Sequence, residues 1–136
     1  MIRVIFGDRG TGKTKKIIGM ANGAAAEGFG DVVFIDSSNC YTIALDRKIR
    51  YININDYDIK DLREFYGFLS GVIAQNYDID KIYMDSLLDM YRQEADIVET
   101  FFEDLEKLAD NFNVKFCMTM SGNPENTPAF LKEHIL

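Results

Sequence analysis

A run of small and basic residues near the start of the chain has the composition of a phosphate-binding loop. Residues 7–14 read GDRGTGKT, and Gly7, Gly12, Lys13 and Thr14 match the spacing G-x-x-x-x-G-K-[ST] without a mismatch. In such a loop the glycines let successive backbone N–H groups turn toward a phosphate, and the following helix adds its positive N-terminus. We therefore expect this loop to bind the phosphates of a nucleotide.

The residues of this loop have separate expected roles. Lys13 is expected to reach the β- and γ-phosphates, and Thr14 to offer its hydroxyl to Mg²⁺. Gly10 leaves room for close approach, whereas Arg9 and Lys15 could either touch phosphate or lie in solvent. The predicted nucleotide contacts are Gly7, Asp8, Arg9, Gly10, Thr11, Gly12, Lys13, Thr14 and Lys15.

A magnesium ion held with a phosphate needs a carboxylate at the end of a neighbouring apolar strand. Asp85, in the stretch IYMDS, fits that description. Its alternative role is that of an ordinary strand-end aspartate that caps the next helix. Asp36, in VVFIDS, also ends an apolar strand and competes for the same role. The predicted metal ligands are therefore Thr14 and Asp85.

The elements that must position these residues are predicted from the spacing of apolar residues. Short apolar runs predict buried strands, and apolar residues at helical spacing predict helices. The predicted strands cover residues 2–6, 31–36, 49–54, 81–85 and 114–119, and the predicted helices cover residues 13–26, 59–75, 88–111 and 128–134. The segment 37–50 has the least regular pattern.

The predicted helix boundaries depend on a few individual residues. Asp58 resembles the N-cap of the second helix, and Thr127 with Pro128 forms an N-cap and first-position pair for the last helix. Gly19 and Gly23 weaken the first helix, so we expect them to allow close packing against the sheet.

This order of elements predicts an α/β fold. We expect a three-layer sandwich in which a mostly parallel sheet of about five strands carries helices on both faces. The length is that of one domain, 1–136, and the apolar fraction of 47% is sufficient for a core.

The composition argues against several classes of function. The net charge is −7, and an acidic chain lacks the Lys and Arg contacts that direct nucleic-acid binding needs. Cys40, Cys117 and His134 do not have the spacing of a zinc site. No apolar run approaches the roughly 18 residues of a membrane span, and the first residues do not form a signal peptide. We expect a cytoplasmic protein without membrane insertion.

Three stretches together resemble a known family. GDRGTGKT, VVFIDSSN and KIYMDS occur in the order and spacing of P-loop NTPases of the RecA-like, ASCE-type group, and the resemblance covers residues 1–123. It implies the P-loop NTPase fold in a minimal RecA-like form, with GDRGTGKT as the Walker A loop. It also implies ATP, or ADP or GTP, with Mg²⁺ as the bound cofactors.

The same resemblance implies a polar sensor at the end of the strand beside the phosphate loop. Thr119 and Ser121, which follow VKFCM, are the sensor candidates in this chain. The alternative is that they are two small polar residues at the opening of a loop.

The chain departs from the family at the glutamate that polarises the attacking water. In the recombinases this glutamate lies two residues after the aspartate of the F-I-D strand, where this chain has Ser38. In related ATPases it follows the Walker B aspartate, where this chain has Ser86. A hydroxyl is a poor general base near pH 7, so Asp36 or Glu94 would have to substitute. The predicted catalytic residues are Lys13, Asp85 and Asp36.

Three functions are compatible with this pattern. The first is a slow ATPase that a protein partner or a second copy of the chain stimulates with an arginine finger. Arg47 and Arg50 are the internal alternatives for that arginine, and solvent exposure competes with this role. The second is a non-hydrolysing nucleotide-binding switch or interaction module, which the missing glutamate favours. The third is a small P-loop kinase, although residues 100–136 contain no arginine for a lid.

Overall fold

The computed structural model describes residues 1–136 and contains five strands and four helices. In chain order these are β1 (Ile2–Gly7), α1 (Lys13–Glu27), β2 (Asp31–Asp36), β3 (Arg50–Asn53), α2 (Leu62–Ala74), β4 (Ile79–Met84), α3 (Leu87–Met90), α4 (Ala95–Phe112) and β5 (Lys115–Ser121). Short 3₁₀ turns occur at Thr42–Ala44, Ile54–Asp56, Pro124–Asn126 and Ala129–Leu131. The predicted α/β class is confirmed.

The five strands form one sheet in the order β1-β5-β4-β2-β3, and every neighbouring pair is parallel. The predicted mostly parallel sheet is therefore confirmed, and no strand pair in it is antiparallel. Gly7 pairs with Ser121, and Met84 pairs with both Met118 and Ile35. The carboxyl ends of four strands thus lie at one edge of the sheet, where ligands of open α/β sheets bind.

Side chains of the strands alternate between two apolar cores, one on each face of the sheet. In β2, Val33 and Ile35 belong to the larger core, and Val32 and Phe34 belong to the smaller one. The larger core includes the buried faces of α2, α3 and α4, and the smaller core includes that of α1. Burial of one such side chain contributes roughly 1.5–3 kcal/mol, so both layers are stabilised mainly by apolar packing.

The irregular segment 37–49 is held against α1 by side-chain contacts. Asn22 of α1 donates to the carbonyl of Ala44 at 2.9 Å and accepts the N–H of Asp46 at 2.8 Å. Leu45 and Ile49 are buried in the smaller core. These contacts depend on residues distant in sequence, which explains why local pattern did not predict the segment.

The predicted single helix 88–111 is wrong, because the structure divides it into α3 and α4. The break covers residues 91–94. Tyr91 is buried there, and its hydroxyl donates to the carbonyl of Ile59 at 3.0 Å. Gln93 accepts the backbone N–H of Leu62 at 2.9 Å, so this side chain caps the start of α2. The break is held by contacts with another part of the chain.

The predicted N-cap of α2 is also wrong. The cap is Asp61 and not Asp58, because the Asp61 side chain accepts the N–H of Glu64 at 2.9 Å. Glu64 in turn accepts the N–H of Lys60 at 2.8 Å. The glutamate three residues after the cap thus bonds the residue that precedes the cap, and Asp58 has no glutamate at that spacing.

The predicted last helix 128–134 is absent. The chain forms the 3₁₀ turn Ala129–Leu131 and then runs along the free edge of β1. Val4 donates its N–H to the carbonyl of His134 at 2.8 Å, and Leu136 donates to the carbonyl of Val4 at 3.0 Å. This pairing satisfies backbone groups on the edge strand that a helix would leave open.

No helix of the chain combines the length and the apolar character needed to cross a lipid bilayer.

The prediction that Gly19 and Gly23 pack closely against the sheet is wrong. Both lie on the exposed side of α1, and a Cβ atom placed on either would meet no atom within 4 Å. Ala21, Ala24 and Ala25 form the close contact with the sheet instead, together with Ile17 and Ile18.

We expect Gly19→Ala and Gly23→Ala each to raise the free energy of unfolding by about 0.5–1 kcal/mol, because alanine restricts the unfolded chain and favours helix. Urea unfolding followed by circular dichroism would measure this. The matched control is Gly28→Ala, which should destabilise the protein because Gly28 has φ 71°. Loss of stability in the Gly19 and Gly23 variants would contradict the exposed placement.

Candidate functional site

The loop between β1 and α1 has a backbone that requires glycine at two positions. Gly10 has φ 79° and Gly12 has φ 81°, in the left-handed region that residues with side chains rarely adopt. At Gly7 an added Cβ would lie 3.3 Å from Oγ1 of Thr11, so space is restricted there as well. The glycines of GDRGTGKT thus determine the path of the loop into α1.

The backbone N–H groups of this loop have no acceptors in the chain. None of those of residues 8–15 donates to a backbone carbonyl, and regular i→i−4 bonding begins with Lys16, which donates to Gly12 at 3.1 Å. An ordinary helix leaves only its first four N–H groups free. The loop and the first turn of α1 together offer eight consecutive donors.

Lys13 places its ammonium group over the beginning of the same loop. Its Nζ donates to the carbonyl of Gly7 at 3.0 Å and to that of Asp8 at 2.7 Å. An ammonium group has three donors, so one remains available for another acceptor. The lysine side chain is therefore held close to the free N–H groups.

Asp85, the residue directly after β4, is buried and fully engaged by hydroxyl groups. Its Oδ2 accepts the hydroxyl of Thr14 at 2.9 Å. Its Oδ1 accepts the hydroxyl of Thr119 at 2.7 Å and that of Ser86 at 3.3 Å. Thr119 also accepts the backbone N–H of Ser86 at 2.8 Å. These bonds connect α1, β4 and β5 at one carboxylate.

A cleft of about 520 Å³ opens between the loop and the ends of β4 and β5. No apolar side chain lines it. Its lining residues are Arg9, Gly10, Gly12, Lys13, Thr14, Asp85, Ser86, Asp89 and Ser121. The structure thus brings five of the nine predicted loop residues together with Asp85 and with Ser121, one of the two sensor candidates.

The remaining predicted residues lie outside this cleft. Gly7, Asp8 and Thr11 line a second cavity of about 330 Å³, which shares Gly12 and Lys13 with the cleft. Lys15 is exposed and lines neither cavity. Thr119 is buried and does not line the cleft, but its hydroxyl bonds two residues that do, Asp85 and Ser86.

Asp36 is not brought to the cleft. It is buried at the end of β2, where Oδ1 accepts the hydroxyl of Tyr51 and Oδ2 accepts that of Ser38 at 3.3 Å. Burial, followed by the hydrogen bond to Asp36, raises the pKa of the Tyr51 phenol, which therefore stays a donor. Asp36 is thus hydrogen-bonded to Tyr51 of β3. Of the two competing aspartates, Asp85 is the one that bonds Thr14.

Sequence reasoning missed Asp89, which lines the cleft from α3. Its Oδ1 accepts the backbone N–H of Ser121 at 2.9 Å. The spacing of the stretch DSLLD puts Asp89 four residues after Asp85, about one helical turn. The sequence pattern places this aspartate at the start of the predicted helix 88–111, whereas in the structure it lies on the short helix α3 beside the cleft.

No protein-family model matches the chain, and a search of curated proteins finds no significant match.

We expect Thr119→Val to lower the free energy of unfolding by about 1–3 kcal/mol, because the change leaves a buried carboxylate oxygen and a backbone N–H each short of a partner. Chemical denaturation without nucleotide would measure the loss. Thr100→Val is the matched control, since Thr100 is exposed and its hydroxyl bonds only the carbonyl of Asp96. Equal effects of the two substitutions would refute the role assigned to Thr119.

Proposed function

We propose that the chain binds a nucleoside triphosphate, with ATP the first choice, together with Mg²⁺, and that it hydrolyses the nucleotide slowly or when a partner stimulates it. The observation that carries this proposal is the run of eight free backbone N–H groups beside Lys13. Such groups at the start of a helix form a binding site for anionic phosphate.

The charge of the cleft supports a ligand that brings its own metal. Asp85 and Asp89 line the cleft opposite Lys13 and Arg9. A bare triphosphate would be repelled by the two carboxylates, whereas a Mg²⁺ complex would present positive charge to them. The mixed lining therefore favours a nucleotide–magnesium complex over phosphate alone.

The Thr14–Asp85 pair suits the requirements of Mg²⁺. This ion takes oxygen ligands in an octahedral arrangement and is usually bound through one or two carboxylates, phosphates and waters. No group of three or more His, Cys, Asp or Glu side chains in the chain could hold a metal by itself. We infer that Thr14 and Asp85 would hold the ion jointly with the phosphates, where it would neutralise part of their charge.

The sheet topology supports the RecA-like form of the P-loop NTPase fold. The strand with Thr119 lies beside the strand that precedes the glycine loop, as expected for a sensor strand. Helix α1, which connects β1 to β2, packs on one face of the sheet. The helices that lead to β4 and β5 pack on the opposite face. The cleft thus lies at a topological switch point of the sheet.

A nucleotide switch without hydrolysis is the second candidate, and the two serines favour it. Ser38 donates its hydroxyl to Asp36, and Ser86 donates to Asp85. Neither serine is placed to accept a proton from water. Release of phosphate from ATP by the wild type, compared with Lys13→Ala, would decide between the two functions.

We expect Lys13→Ala to weaken binding of ATP with Mg²⁺ by about 10–100-fold, because a charge-assisted hydrogen bond contributes about 1.5–3 kcal/mol. Isothermal titration calorimetry would measure the change. Removal of Mg²⁺ with EDTA should weaken wild-type binding as well.

Lys107→Ala is the control for charge, since Lys107 is exposed on α4 and does not line the cleft. It should bind ATP as the wild type does. Absence of ATP binding by the wild type, or equal binding by Lys13→Ala, would refute the proposed site.

A further inference from the structure

We infer that Asp89 is the general base of this cleft, a catalytic residue that takes a proton from the water attacking the terminal phosphate. The inference rests on the proposed nucleotide site. In the RecA-like P-loop NTPases that the sequence resembles, a glutamate has this role at the positions where this chain has Ser38 and Ser86. The inference assigns the role to a residue of α3 instead. The assignment is based on the hydrogen bond of the Asp89 carboxylate and on its position in the cleft.

Asp89 is held in a fixed position above the cleft. Helix α3 begins two residues after Asp85 and is anchored by the buried side chains of Leu87 and Leu88. Ser86 makes this abrupt start possible with φ 61°, a left-handed conformation that is uncommon for residues other than glycine. Such conformations persist where surrounding contacts enforce them, and they concentrate at functional sites.

The carboxylate of Asp89 has one oxygen that is engaged and one that is free. Oδ1 accepts the N–H of Ser121 at 2.9 Å, and Oδ2 accepts no hydrogen bond within the chain. The side chain is half-buried and lines the same cleft as Lys13 and Thr14. One oxygen therefore orients the group, and the other is available to a water molecule.

Asp85, the other carboxylate of the cleft, lacks a comparable free oxygen. Oδ1 and Oδ2 both accept hydroxyl hydrogens, and the side chain is 5% exposed. Glu94, considered from sequence as a substitute base, is exposed in the break before α4 and does not line the cleft. Asp36 is engaged by Tyr51 and Ser38 at the end of β2. Of these four candidate bases, Asp89 is the one that lines the cleft and has a free carboxylate oxygen.

The proposed step is hydrolysis of the bond between the terminal phosphate and the rest of the nucleotide. The oxygen of water bonds to the terminal phosphorus, and the bond from that phosphorus to the bridging oxygen breaks. The proton of the water passes to Oδ2 of Asp89 and from there to the released phosphate or to solvent. The reactants are the nucleoside triphosphate and one water molecule, and the products are a nucleoside diphosphate and inorganic phosphate.

The test is Asp89→Asn in the full chain. The amide oxygen of asparagine can still accept the N–H of Ser121, so the fold and the affinity for ATP should be kept. We expect phosphate release to fall by about 100-fold or more, because a general base contributes typically 10²–10⁴-fold. Calorimetry with ATP and Mg²⁺ should give a dissociation constant within about threefold of wild type, so that the loss of phosphate release is not a loss of binding.

Two further variants separate catalysis from structure. Asp89→Glu retains a carboxylate on the same helix and should recover part of the activity that Asp89→Asn loses. Asp110→Asn removes an exposed carboxylate near the end of α4, which leads to the opposite edge of the sheet, and should have wild-type activity. Melting temperatures of all three variants would identify any loss of folding.

The outcomes distinguish this inference from the proposed function. If the wild type binds no ATP, the proposed function fails and the inference fails with it. If it binds ATP but Asp89→Asn releases phosphate at the wild-type rate, only the inference is overturned. If the wild type binds ATP but releases no phosphate above Lys13→Ala, the inference is overturned and the nucleotide switch without hydrolysis replaces the hydrolytic function, while the binding site stands. A large rise in the Mg²⁺ concentration needed by Asp89→Asn would also overturn it, in favour of a metal ligand.

Discussion

The buried carboxylate of Asp85 is the interaction on which the arrangement of the candidate site depends. Burial of an ionised group is costly unless hydrogen bonds compensate it, and here three hydroxyl groups do so. Because Thr14, Thr119 and Ser86 come from α1, β5 and the start of α3, satisfaction of one carboxylate determines how three elements meet. The glycine loop and α3 then face each other across the cleft.

This constraint explains why two aspartates in similar sequence contexts have different surroundings. Asp36 and Asp85 each end an apolar strand and precede a serine. The strand of Asp85 lies one position from β5, and the strand of Asp36 lies beyond it, next to β3. Asp36 is therefore satisfied by Tyr51 of β3, and only Asp85 can reach the threonine at the start of α1.

The parts of the fold that sequence predicted are those that local chemistry determines. Strand β2 has its predicted bounds, and α1 begins at Lys13 as expected from the glycine loop before it. The clustering of apolar residues carries that information in β2 because this strand is buried on both faces. Errors occur where long-range contacts decide the backbone, as in the break at Tyr91 and the extended end of the chain beside β1.

Sequence alone predicted that a glycine loop joins the first strand to a helix that begins with Lys13 and Thr14. It did so because glycine, lysine and threonine at that spacing restrict the backbone and supply the polar groups directly. Contacts between distant parts of the folded chain establish that Asp85 pairs with Thr14, that Asp36 lies elsewhere and that Asp89 lines the cleft. Strand order and the position of α3 follow from packing between residues distant in the chain, which local pattern does not encode.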